Sequence, residues 1–154
     1  MLQQLVADGS LRPVNGTAFA VTPTLREACS DGDEDELADV ALRDAALASL
    51  RLLGVAAEGL PARRAVLEAE VDDVNLRPDL DDAVVRLEGP IPLERVIAAY
   101  VDNAAAEPAV QAAVEVVDDA DLGDEDAELT VGDAQDHDLA WYAPQELPFL
   151  LELL

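Results

Sequence analysis

The chain has 154 residues, 51% of them apolar, enough for one domain that buries roughly 70% of its unfolded surface. Its charge is lopsided: 34 Asp and Glu stand against nine basic residues, all of them Arg, for a net −25. Such a surface repels phosphate, which excludes nucleic-acid binding through counterion release, and a chain without lysine cannot form a Schiff base.

In chain order, Leu2, Leu5 and Val6 of MLQQLVADGSL share one helical face, and Gly9 is placed to end that helix. The helix starts at the first residue without an N-cap. TAFAVTP predicts a short strand, Thr17–Val21, after which Pro23 suits the first turn of a short helix, PTLREA. The longest helix is expected over Asp35–Leu53. Its charged residues Glu36, Asp39, Arg43, Asp44 and Arg51 fall within an arc of about 140° at about 100° per residue. Val40, Leu47 and Leu50 fall inside the same arc, so either they stand singly at the surface or another element covers them.

RAVLEAEVDD alternates as a half-buried strand, with Ala65, Leu67, Ala69 and Val71 on one side and Val66, Glu68 and Glu70 on the other. Ala83–Glu88 repeats the pattern, and the stretch between, through Asn75 and Pro78, reads as a polar loop. A helical turn at Leu93–Val96 leads into a strand with Ile97, Ala99 and Val101 facing one way. Too little chain separates these strands for parallel crossovers, so antiparallel neighbours are expected. Pro108 opens a helix with Val110, Ala113, Val114 and Val117 in register, ending in the acidic loop DDADLGDED. A strand over Leu139–Ala143 and the apolar tail ELPFLLELL complete the chain.

QDHDLAWYAPQE gathers the only histidine, the only tryptophan and one of the two tyrosines. With Leu139, Trp141 and Ala143 facing the core, Trp141→Ala is expected to cost about 3–5 kcal/mol. His137 then stands in a polar turn between Asp136 and Asp138, where an imidazole hydrogen-bonds backbone. These three are the catalytic candidates, but acid–base work needs a second positioned group, and 34 carboxylates offer no way to choose one. The His137–Asp138 pair resembles that of metal phosphohydrolases, whose further histidines are lacking here. Ser10, Ser30, Ser49 and Cys29 are conceivable nucleophiles, none in a G-x-S-x-G elbow, and no phosphate-binding glycine motif occurs.

Two acidic stretches fail as calcium loops. Starting at Asp31, the glycine position holds Glu36 and the bidentate position Leu42; starting at Asp119, the fifth position holds Gly123 and the sixth Asp124. No metal and no cofactor is expected. Cys29 is the only cysteine, which excludes an internal disulfide and suits a reducing cytoplasm. No run of about 18 apolar residues and no charged-then-apolar leader occurs, so neither a membrane span nor a secretory signal is expected.

GTAFAVTPTLREA, ALRDAALASLRLL and GDAQDHDLAWYAPQELP together resemble a family of small, acidic, uncharacterised actinobacterial proteins, over most of the chain. That resemblance implies kinship and a cytoplasmic origin, with no activity attached to the motifs. Family members open with a short strand before the helix that here begins at Met1, so residues 1–154 are expected to form one domain lacking an N-terminal strand. Cys29 stands where the pattern has an aromatic residue.

The expected fold is α+β: a single domain with a mixed, mostly antiparallel sheet of four to six strands and three or four main helices. The expected function is non-catalytic, through contact with an unknown protein partner. Its candidate binding surface is Trp141, Tyr142, Phe149 and Leu150, and the apolar tail offers a route to a homodimer. The alternative is a small hydrolase or transferase using carboxylate or His137 chemistry.

Overall fold

The computed structural model describes residues 2–55 and 61–153. Helix α1 (Leu2–Asp8) ends at Gly9, whose φ of 71° lets its amide donate to the Leu5 carbonyl at 2.9 Å. Strands β1 (Ser10–Leu11) and β2 (Thr17–Phe19) follow, then α2 (Pro23–Ala28). Thr22 caps α2 by accepting the Leu25 amide at 3.1 Å and donates its hydroxyl to the Asp82 carbonyl, so a single buried side chain ties the helix to the turn before β5. The long helix α3 spans Glu34–Val55, and Asp33 accepts the Glu36 amide at 2.9 Å. That carboxylate of the failed calcium loop therefore caps a helix.

The remaining strands are β3 (Ala65–Ala69), β4 (Val74–Leu76), β5 (Val84–Leu87), β6 (Ile91–Pro92), β7 (Val96–Val101) and β8 (Ala140–Tyr142). The fold is α+β and every strand pair is antiparallel, with the strands divided among three small sheets ordered β1-β6, β2-β5-β4 and β3-β7-β8. The segment through Asn75, expected as loop, is β4, a three-residue strand with all its residues exposed, which is too short for alternation to register. Consequently β5 pairs with β4 and β2, while β3 finds β7.

The register of β3 against β7 slips between Glu68 and Ala69 of β3, so Ala69 pairs with Val96 and Glu68 with Ala98. The extra residue is Ile97, which is turned to solvent, whereas Val96, Ala99 and Val101 all reach the core. Gly16 lies just before β2 with φ 70°, and a Cβ there would sit 2.6 Å from the Leu87 carbonyl oxygen. Gly16→Ala is expected to cost roughly 1–3 kcal/mol by combining left-handed backbone with a backbone clash. Urea unfolding measures it, and a loss under about 0.5 kcal/mol would show that the loop moves aside at little cost.

Helices α4 (Glu107–Asp121), α5 (Glu125–Gln135) and α6 (Leu147–Leu153) complete the chain. The acidic stretch expected as loop is a tight turn at Gly123, φ 96°, followed by Asp124, which caps α5 by accepting the Ala127 amide at 2.9 Å. The residues that α5 turns inward include Ala127, Val131 and Ala134, small side chains that leave little hydrophobic periodicity in the sequence.

Three apolar clusters result. One joins α1 and α6 to the inner face of β3 and β7; the second packs Leu50 of α3 against Val110, Ala113 and Val117 of α4; the third holds Leu25, Leu37 and Ala83. Leu37 and Ala46, both buried, point to roughly opposite sides of α3 at about 100° per residue. The helix thus changes partners along its length. Val40 packs against the third cluster, Leu47 against the second, and Leu50 is fully buried, so the mixed face is a covered one. No described helix is long and apolar enough to cross a membrane.

Candidate functional site

GDAQDHD carries α5 through its last turn: the Asp136 amide donates to the Gly132 carbonyl at 3.0 Å and the His137 amide to the Ala134 carbonyl at 3.1 Å. Against this turn lies an ion pair between Arg64, just before β3, and Asp102, just after β7, which are 1% and 0% exposed. The Asp102 carboxylate accepts from the Arg64 backbone amide at 2.8 Å, from Nε at 2.9 Å and from Nη2 at 2.8 Å. Nη2 also donates to the His137 carbonyl at 2.8 Å, and Nη1 donates to Gln135 Oε1 at 2.9 Å. Gln135 in turn donates through Nε2 to the Arg43 carbonyl at 3.3 Å. One guanidinium therefore joins β3, β7 and the end of α5, with α3 reached through Gln135.

This arrangement is a fastener. Each Asp102 oxygen is engaged, and the guanidinium's fork is matched bidentately by the carboxylate. Beside it is a dent of about 60 Å³ lined by Arg43, Arg64, His137 and Asp138 among others, room for very few waters and far below the roughly 300–1,000 Å³ of ligand pockets. Among the described residues neither the His137 imidazole nor the Asp136 and Asp138 carboxylates enter a hydrogen bond or ion pair, and Asp136 lies outside the dent. The structure brings His137 and Asp138 to one place without giving the imidazole a positioned partner.

A larger cleft, about 210 Å³, opens between Glu70, Asp72 and Asp73 on one side and Gly89, Pro90 and Pro92 on the other, where Arg95 reaches Asp72 at 3.2 Å. Among the described residues no three His, Cys, Asp or Glu are grouped to hold a metal ion.

One carboxylate on α3 stands out electrostatically. Burial pushes Asp44 above the usual carboxylate range, Asp81 adds to the shift, Arg51 opposes it and Asp82 adds again. Because folding raises this group, its contribution to stability is full below the unfolded value near 3.8 and is lost as pH rises through the folded one. Asp44→Asn is therefore expected to raise the melting temperature at pH 7 and to gain nothing near pH 3. A variant that gained equally at both pH values would refute the electrostatic origin.

The candidate binding residues divide into two pairs. Tyr142 packs on the first apolar cluster and Leu150 is part of it, 4% exposed, so Leu150 offers no surface. Trp141 and Phe149 are 58% and 69% exposed. The expectation that Trp141 faces the core is overturned: in β8 the phase is the opposite one, with Ala140 opposite Val101 and Tyr142 opposite Ala99 on the inner face. A one-residue phase change sends every side chain of a strand to the other side. Trp141 pairs with Tyr100, which pairs with Val66, making a row across the outer face of β3-β7-β8. The Tyr100 hydroxyl donates to Glu68 Oε1 at 3.0 Å. Burial first, then that bond, then repulsion from Glu68 and from Asp39 of α3 raise the Tyr100 phenol. Carboxylates thus lie beside Tyr100 in this row. Phe149 belongs to the solvent side of α6, across the inner apolar layer from Trp141.

Arg64 and Asp102 escape a reading of the residues alone, since RRAV is an arginine pair before a strand and YVDN an ordinary polar turn. Nothing local marks a partner 38 positions away. Over residues 1–151 the chain matches the model of a family of unknown function (DUF6912). No curated protein and no solved structure matches it.

Proposed function

The chain belongs to that family of unknown function, and from its own geometry we propose that it is a non-catalytic cytoplasmic protein acting through protein–protein contact around Trp141. The observation that carries this reading is the exposure of Trp141, 58%, on the edge strand of a sheet whose inner face packs on the first apolar cluster. Tryptophan is enriched among the residues that dominate binding energy, and an indole kept in water does little for the fold. The lone Cys29, unpaired in the structure, supports a reducing compartment. Against the hydrolase alternative stand the small volume beside His137 and the commitment of Arg64 to Asp102.

Trp141→Ala is expected to change stability by no more than about 0.5–1 kcal/mol, as surface substitutions do, rather than by the loss of a core side chain. It is also expected to abolish capture of the partner from native cytosol by the full chain. Equal recovery of the same proteins by both forms would remove Trp141 from the contact and this reading with it.

A further inference from the structure

Strand β8 is the last strand of its sheet: it pairs with β7 on one side, and among the described residues no strand pairs with its other side. Resting on the contact reading above, we propose that this open edge takes an extended, basic segment of a partner protein, which adds as a fourth strand and lays a Lys or Arg side chain over Trp141. An unpaired strand edge is a template for an added strand, and an exposed indole face attracts a cation.

The charge of the surroundings selects the occupant. Exposed Asp138 lies just before β8, and on the β3 side of Trp141 its cross-strand neighbour Tyr100 is bonded to Glu68, whose carboxylate lies across β7 from the open edge. Two cations, Arg43 and Arg64, line the adjoining dent with Asp138, Arg64 already paired with Asp102, and 34 acidic against nine basic residues leave the overall field strongly negative. That field draws a basic segment in and repels an acidic one, a second copy of this chain included. With only three residues in β8, the contact is short and the complex transient.

Trp141 is the only tryptophan, so its emission reports on this edge alone. The probe is a labelled ten-residue peptide alternating Lys and Val, with its Glu-for-Lys counterpart as control, titrated into the full-length protein. Expected are a change in Trp141 emission, slowed amide exchange at Ala140–Tyr142, and affinity that falls as chloride is raised from about 0.05 to 0.5 M. Trp141→Ala, read by the anisotropy of the label, is expected to weaken binding roughly tenfold, and Glu68→Gln to weaken it less. Equal binding of the acidic control, basic-peptide binding that leaves the emission and the Ala140–Tyr142 amides unchanged, or a concentration-dependent dimer through β8 would each overturn the proposal. If cytosolic capture depends on Trp141 while the basic peptide does not bind there, the contact reading stands and only the identity of its occupant falls.

Discussion

Asp102→Ala is expected to destabilise the fold by about 3–5 kcal/mol, because it leaves the Arg64 guanidinium buried at 1% exposure with no carboxylate beside it. It also strips the Arg64 backbone amide of the acceptor it finds at 2.8 Å. An isolated pair at the surface, such as Arg77 with Asp79, adds little to stability, since water solvates either partner once the other is gone. The doubly apolar variant Arg64→Met, Asp102→Leu separates the two contributions. It is expected to recover much of the loss, because removing both charges also removes their desolvation cost. Equilibrium urea unfolding of the single and double variants reads both, and a loss below about 1 kcal/mol in Asp102→Ala would show that water reaches Arg64.

Leu147→Ala is expected to cost about 2–5 kcal/mol. Leu147 is 0% exposed and lies with Leu150 in the cluster that also contains Leu2 and Leu5 of α1 and Val101 of β7, so truncation opens a void where the two ends of the chain meet the sheet. Phe149→Ala, two residues on, is expected to change stability by less than about 0.5 kcal/mol, since its ring is already mostly in water. Thermal and urea unfolding of both variants give the comparison, and similar losses would mean that α6 does not dock as described. The docking bears on self-association as well. Two tail leucines offered as a dimer surface are spent internally, and Leu154 lies outside the described residues.

Elements with strong periodicity or punctuation were legible in the sequence: α1 closed by Gly9, α2 opened by Pro23, the long α3, and β3 with its clean alternation. What escaped has physical reasons. Helix α5 buries alanines, whose weak transfer free energy leaves no stripe, and β4 is shorter than the window in which alternation is detectable. β8 exposed the limit of alternation itself. AWYA has an apolar residue at every position, so period two fits both phases, and only the pairing of Tyr142 with Ala99 decides which side is inward. Of the site, His137 and Trp141 drew notice through rarity alone. The placing of Glu68 and Asp39 beside Tyr100 required the register of three strands and the placement of α3, which are long-range facts.

The Arg64 fastener bears on the order in which the molecule assembles. The α4–α5 hairpin is made of contacts close in sequence and can form early, whereas Arg64 must meet Asp102, Gln135 and His137 across 38, 71 and 73 positions. Contacts of such separation close late, after the loops between them have been paid for in entropy. Interactions absent from the transition state act on the unfolding rate and leave the folding rate nearly untouched. The guanidinium is therefore a brake on opening, and its loss would shorten the lifetime of the native state towards proteases more than it would slow the chain's first folding.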